Sequence, residues 1–498
     1  MRFPRSSGIL LHPTSLPGRY GIGDLGAEAR HFIDFLASAG QTLWQVLPLG
    51  PTGYGDSPYQ CFSAWAGNPL LISLERLVEQ GWMHASRLAT APQFPEDRVE
   101  FERLIPWKTA LLESAVQPHP RFEDFSEANQ NWLDDFALFV ALKQRHQGAA
   151  WTQWEPGARD RDRKALATWR DQLASAIEAQ KFLQFVFSEQ WRALREYARA
   201  RGVRIMGDLP IYVAHDSADV WTNRQFFQLD AQGNPTVVSG VPPDYFSKTG
   251  QLWGNPIYRW DALAQDGYRW WLDRFRAAFQ MVDMIRLDHF RGFEAYWEVP
   301  AAETTAVNGR WVKGPGSALF HAAQRELGEL PLVAENLGVI TPEVEAIREE
   351  FGFPGMAILQ FAFGTDPQAT TFRPHNYPRE VVAYTGTHDN DTTVGWWTSK
   401  GSGESTRSEE DIRRERDLAM RYLNTDGSEI QWSFIRAVEA SVADTVLIPM
   451  QDVLGLGNEA RMNQPATLGG NWRWRYRTGA LKPELAERLR EMAELYDR

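Results

Sequence analysis

Three carboxylates, Asp288, Glu335 and Asp389, stand where an apolar run of the sequence gives way to polar residues, and a fourth, Asp208, is placed in the same way. Carboxylates in contrasting surroundings can divide nucleophilic and acid/base work, because one stays ionised while the other is held protonated. In MIRLDHF (284–290) side chains two apart share one face of a strand, so Arg286 and Asp288 lie together. A guanidinium so placed favours the ionised carboxylate, which suits a nucleophile; the bland alternative is a structural ion pair. Glu335 follows Leu332, Val333 and Ala334, and desolvation there predicts a raised pKa, which suits a general acid. A retaining glycosidase uses such a pair and so does an inverting one; the separation that tells them apart cannot be read from sequence. Singly, each carboxylate reads as a turn or cap residue. Jointly, the four are harder to explain that way.

The THDND stretch (387–391) adds His388 and Asp389, a donor and an acceptor suited to sugar hydroxyls. His215, Asp208, His388 and Asp389 are also metal-ligand types, but no HExxH helix or close histidine pair accompanies them, so metal catalysis is not expected. A serine hydrolase is disfavoured because no GxSxG elbow is present.

Positioning these residues requires a scaffold that brings distant segments to one place. Eight short apolar runs supply it: GILLHP, TLWQVLPL, VRIMGDLPIYV, MVDMIRLDHF, PLVAENLG, MAILQFAF, VVAYTGTHDN and TVLIPMQDVL. Each ends in polar residues or at a Gly or Pro boundary, as buried strands do. Helix-like stretches lie between later members, including TPEVEAIREEFG with a Thr cap and Pro at its first position. The expectation is an α/β fold, a (β/α)₈ barrel with the four carboxylates on its C-terminal rim. A doubly wound sheet is the alternative, but no glycine-rich dinucleotide fingerprint follows the first run. The whole chain, 1–498, reads as one catalytic barrel unit with two insertions. Residues 60–200 form a mostly helical one after the second strand. Residues 214–265, rich in Gly, Pro, Asn, Asp and aromatics, form a loop-rich one after the third, where a groove would be covered. SKGSGESTRSEED (399–411) reads as a loop entering a charged helix. The tail reads as an amphipathic helix with Leu481, Leu485, Leu489 and Met492 on one face.

Composition narrows the partners. Hydrophobic residues make up 43% and charged residues 23%, enough for a large core. A formal net charge of −12, with no basic run, argues against nucleic acid. No segment approaches the length of a membrane-spanning helix, and the N-terminal apolar stretch is broken by His12 and Pro13, so neither a membrane span nor a signal peptide is expected. The one cysteine, Cys61, fits a reducing cytoplasm. The 21 tryptophans are unusual. Five of them, Trp253, Trp396, Trp397, Trp472 and Trp474, fall in loop-like stretches, which hints at flat faces for sugar rings.

These stretches together resemble the 4-α-glucanotransferases (amylomaltases, or disproportionating enzymes) of glycoside hydrolase family 77, relatives of the α-amylases. The resemblance runs from SSGILLHPTSLPGRYGIGDLG through LPLGPTGYGDSPYQCFSAWAGNPLLI, GDLPIYV, GVPPDYFSKTGQLWGNPIY, IRLDHFRGF, VAENLG and THDND to NEARMNQPATLGGNWRWR, almost the whole chain. It implies a retaining double displacement without metal or organic cofactor, on α-1,4-glucans and maltooligosaccharides with glucose as an acceptor. By the same resemblance Asp288 is the nucleophile, Glu335 the acid/base, and Asp389 the carboxylate that binds sugar hydroxyls and supports the transition state. Asp208, Arg286 and His388 match donor-sugar contacts, Tyr54 resembles a residue lining the same subsite, and Trp253 lies in a loop that covers the groove. Two departures are small: Ala466 stands where the family often has Gly, and Cys61 where Ser is commoner. An α-glucan hydrolase with the same carboxylates is the alternative. A catalytically silent glucan-binding protein would be expected to lack one of the three, and this chain keeps all of them.

Overall fold

A computed structural model of the chain describes residues 3–243, 248–401, 408–465, 467 and 469–498. Ala466 and residues 402–407 of the 399–411 loop lie outside the described residues. In chain order the strands are β1 (Ser6–Leu10), β2 (Leu43–Gln45), β3 (Arg204–Pro210), β4 (Val237–Val241), β5 (Gln251–Pro256) and β6 (Met284–Asp288). They continue with β7 (Ala295–Pro300), β8 (Arg310–Lys313), β9 (Leu332–Ala334), β10 (Gly355–Ile358), β11 (Val381–Tyr384) and β12 (Thr445–Pro449).

Eight of these form one parallel sheet in the order β10-β11-β12-β1-β2-β3-β6-β9. They coincide with the eight apolar runs of the sequence. The ends of the sheet meet where the Ala334 N–H donates to the Pro354 carbonyl at 2.8 Å and the Asn336 side chain accepts from the Met356 N–H at 2.8 Å. The sheet thus wraps into a (β/α)₈ barrel. Helices follow most strands, among them Ala27–Ser38, Arg269–Met281, Ser317–Leu327 and Pro342–Glu350. After β10 no α-helix forms; three 3₁₀ turns, Leu359–Phe363, Ala369–Phe372 and Pro374–Asn376, take its place. The proline and glycine content of that stretch withholds the donors and the backbone restriction a helix needs.

The long connection after β2 holds Phe101–Glu113, Gln130–Arg145 and the 26-residue helix Ala174–Arg199, which delivers the chain to β3. The segment read as loops after β3 contains two strands instead. β4 and β5 pair with each other, and with β7 and β8, into an antiparallel sheet in the order β5-β4-β7-β8. Glycine, proline and asparagine within VVSGV and QLWGNP hide these strands from a propensity reading. The Glu409–Leu423 helix opens with a capping box between Ser408 and Asp411. In the Pro483–Leu495 helix Leu489 is buried, while Leu481, Leu485 and Met492 pack partly buried against the same core. No described helix is long and apolar enough to cross a membrane.

At the N-terminal mouth of the barrel, the Arg498 side chain is fully buried, with Nε 2.9 Å from Glu439 Oε2. Its guanidinium also donates to the carbonyls of Ala443 (2.9 Å), Ser441 (3.1 Å) and Ser6 (3.3 Å), and the Ser7 hydroxyl donates to Glu439. Removing one partner of a buried pair strands the other charge, so Arg498→Ala is expected to lower stability by about 3–5 kcal/mol. A marked fall of the unfolding midpoint in denaturant checks this; an unchanged midpoint would show the pair to be idle.

Candidate active site

Alternation along the strands builds the site from the lumen upward. Leu43, Met206, Met284, Val333, Met356 and Leu447 belong to one apolar cluster inside the barrel. Two residues further along the same faces the side chains turn polar: Met206 is followed by Asp208, Met284 by Arg286 and then Asp288, and Val333 by Glu335. Register brings them level, since Asp208 pairs with Arg286, Pro210 with Asp288, and Leu287 with Ala334. Asp288 and Glu335 therefore leave adjacent strands side by side.

Arg286 ties the group together. Its Nη1 lies 2.7 Å from Asp208 Oδ2 and 2.8 Å from Asp288 Oδ1. Burial opposes its charge, but Asp208 and Asp288 outweigh that and hold the guanidinium charged well beyond its ordinary range. Asp208 also accepts from the Tyr59 hydroxyl at 3.0 Å, and burial pushes its carboxyl up to about 7 against the pull of Arg286. Its second oxygen is buried with no partner among the described residues.

Glu335 is buried, and its carboxyl is pushed up to about 7. Burial is the main cause and the like charge of Asp288 adds to it; Arg286 and two backbone N–H groups pull the other way. Those donors are His289 N to Oε2 at 2.8 Å and Leu337 N to Oε1 at 2.9 Å. The first exists because His289 is left-handed (φ 50, ψ 51), turning the chain sharply after Asp288 into the Phe290–Phe293 turn. The residue after Asp288 thus holds Glu335 directly. Burial lowers His289 to about 4, so its imidazole is neutral, and its ring meets Trp253 edge-on at 4.7 Å.

His388 and Asp389 reach the site on a loop. Asp452 anchors that loop, accepting from the Thr385 hydroxyl at 2.5 Å and from the Thr393 N–H and hydroxyl, both at 2.7 Å. Asn463 Nδ2 donates to Asp389 Oδ1 at 2.7 Å, and Arg461 donates to the Asp389 carbonyl and pairs with Asp391. His388 Nε2 lies 3.4 Å from Asp389 Oδ1. Burial lowers the His388 pKa, and its ring stacks on Tyr59 at 5.2 Å.

Of the residues singled out from sequence, Asp208, Arg286, Asp288 and Glu335 come together directly. His388 and Asp389 join through Tyr59, and Trp253 through His289. Tyr54 does not join them by direct contact: it is 73% exposed in a 3₁₀ turn at Tyr54–Asp56, while Tyr59 of the same stretch donates to Asp208. Both tyrosines sit in GYGDSPYQ, and nothing in their spacing selects one. Tyr59, Arg461 and Asn463 were missed. The tryptophan reading also needs correction. Trp396 is buried in the Thr393–Thr398 helix against Phe434, Trp472 and Trp474 are buried, and Trp397 packs partly buried against the core. Among the described residues no group of three or more His, Cys, Asp or Glu side chains is arranged to hold a metal ion.

A (β/α)₈ barrel that gathers carboxylates around one buried arginine at the C-terminal ends of its strands has the arrangement of a barrel enzyme, and paired carboxylates are what glycoside chemistry uses. A sequence model of glycoside hydrolase family 77, described as 4-alpha-glucanotransferase, matches residues 11–481, and the chain belongs to this family. It is 50% identical to a 4-alpha-glucanotransferase of Thermus thermophilus, over 100% of both chains. It is also 50% identical to one of Synechocystis sp., over 99% of this chain and 98% of the relative. Among solved structures, the amylomaltase of Streptococcus agalactiae in complex with acarbose superposes with a TM-score of 0.94 at 38% identity, covering 99% of each chain.

Asp389 owes its placement to a side chain on another loop, and a misplacement near 1 Å at a reacting centre costs about 10²-fold in rate. Asn463→Ala is expected to lower kcat by about that factor at an unchanged thermal midpoint. A wild-type kcat would remove Asn463 from this role.

Proposed function

We propose that the chain is a retaining 4-α-glucanotransferase, moving α-1,4-linked maltooligosaccharyl units from a donor glucan to the 4-hydroxyl of an acceptor glucan or glucose. The observation that carries this reading is the adjacency of an arginine-paired Asp288 and a buried Glu335 on neighbouring strands. Side chains that leave neighbouring strands in register suit a nucleophile and an acid/base acting at one anomeric carbon.

In the first step Glu335 gives its proton to the glycosidic oxygen while Asp288 attacks the anomeric carbon. The donor's reducing-end portion leaves with a new hydroxyl, and a covalent glycosyl ester remains on Asp288. In the second step Glu335, now ionised, takes the proton of the acceptor 4-hydroxyl. That oxygen displaces Asp288 and restores the starting state. Asp389, aided by His388, Asp208 and Arg286, binds the hydroxyls of the donor sugar as its ring flattens. Transfer outcompetes hydrolysis when the acceptor hydroxyl is held in line and bulk water is kept from the ester. The segments 60–200 and 214–265 are read as the insertions that build the acceptor groove, with Trp253 on its wall. A single cysteine in 498 residues favours a cytoplasmic setting.

Incubation with maltotriose tests the reading. A ladder of longer maltooligosaccharides plus glucose, without net gain of reducing ends, is expected; reducing ends rising without longer products would mean hydrolysis. Asp288→Ala should lower turnover by about 10⁴-fold or more with the fold retained. Glu335 must carry a proton for the first step and loses it as pH rises through about 7, so kcat/KM should fall on the alkaline side of about 7. A profile flat to pH 9 would remove Glu335 as the proton donor.

A further inference from the structure

Trp472 stands in the left-handed region of backbone space (φ 65), which a bulky side chain adopts only when its surroundings impose it. The surroundings are visible. Gly469 and Gly470, both at φ 80, precede it, and its own N–H donates to the Met462 carbonyl at 2.7 Å. That bond ties Trp472 back to Met462, and Trp472 takes the turn that glycine would ordinarily take.

This backbone aims the indole at two rings of the site. Its centroid lies 5.8 Å from Tyr59 and 5.9 Å from His388, and those two rings stack 5.2 Å apart at 16°. Tyr59 comes from the loop after β2, His388 from the loop after β11, and Trp472 from the segment after β12. Among the described residues no hydrogen bond joins Tyr59 to His388. Ring contact holds the junction together.

We propose that Trp472 is a positioning residue for the donor-sugar site, its flat ring fixing the Tyr59–His388 stack so that Tyr59 reaches Asp208 and His388 lies beside Asp389. A ring pair is free to slide in its own plane unless a third surface stops it, and offset contacts near 5–6 Å are the range in which aromatic faces and edges lock together. Slippage would move both ends of the site at once, because each ring holds a different carboxylate. The indole also shields His388 from water. The charged and titratable groups facing that imidazole are Asp389, Asp288, Arg286 and His12, with the Tyr59 phenol against its face. The two aspartates favour a proton on it and Arg286 opposes one, and burial exceeds them all in keeping it neutral.

The inference rests on the transferase reading of the site, and the experiment separates the two. Trp472→Phe and Trp472→Leu share the same backbone demand, so their difference isolates the ring. For wild type and both variants, kcat and KM with maltotriose, the acid limb of the pH profile and the thermal midpoint are measured. The Phe variant should keep kcat within about threefold of wild type, and the Leu variant should lose about 10- to 100-fold in kcat with KM moved less than about threefold. The acid limb of the Leu variant should move to higher pH, since a wetter His388 takes a proton more readily. Equal kcat and equal limbs in the two variants, or a loss confined to KM, would overturn the proposal. Should the Leu variant fail to fold, Trp472→Met takes its place as the ringless variant, and equal kcat and equal limbs in the Met and Phe variants overturn the proposal. Failure of the wild type to transfer would overturn the transferase reading instead.

Discussion

The charge on Arg286 sits in the barrel lumen directly above a layer of methionine, leucine and valine. A cation there lacks the hydration that would otherwise stabilise it, and leaving it unpaired would cost several kcal/mol. Two carboxylates from two strands therefore have to stand against it, Asp208 at 2.7 Å and Asp288 at 2.8 Å. The same guanidinium limits how far burial can raise Glu335. One buried cation thus sets different conditions for three acids: one shares it while sealed in the lumen, one shares it at the edge of solvent, and one feels it only through space. Division of labour among chemically similar side chains follows from depth and distance, with no need for different residue types.

How much of this was readable in advance depended on what kind of force placed each residue. The barrel strands were legible because both of their faces are buried, so they appear as uninterrupted apolar runs that end where the rim begins. The layering of the lumen was legible for the same reason: Met284, Arg286 and Asp288 announce by spacing alone that they share a face. Desolvation of Glu335 could be read from the residues before it. The antiparallel rim sheet could not, since Gly240, Gly254 and Asn255 interrupt its strands and the pairing that joins β4 to β7 links residues far apart in sequence, Val237 with Pro300 and Gly240 with Trp297. Nor could the different placement of Tyr54 and Tyr59, which share one motif, one exposed and one reaching Asp208. The loop tryptophans mislead because a loop-like stretch need not leave its side chains open to a ligand. At Trp472 the glycines instead bend the chain so that the ring can be buried.

Two modes of positioning coexist at the mouth of the barrel. Asp208, Arg286, Asp288 and Glu335 are held by strand register, which cannot drift without breaking backbone ladders. Asp389 is held by hydrogen bonds between loops, from Asn463 and Arg461 on one side and through the Asp452 anchor on the other. Loops open at lower free energy than core strands. The covalent and proton-transfer chemistry accordingly rests on the stiff part of the molecule, and recognition of the sugar hydroxyls rests on the part that can yield when a chain enters or leaves.

The rim sheet joins two excursions of the chain that are separate in sequence. β4 and β5 leave from the end of β3, β7 and β8 leave from the end of β6, and the pairing of β4 with β7 makes them one piece. Barrel enzymes are commonly thought of as scaffolds whose loops can be exchanged one at a time. Here neither excursion is an independent module: a graft that replaced the first would strip the second of its hydrogen-bonding partner, and the wall bearing Trp253 would arrive without its support. Diversification at this rim has to proceed by paired change, and a chimaera between two such proteins would need both crossover points on the same side of this sheet.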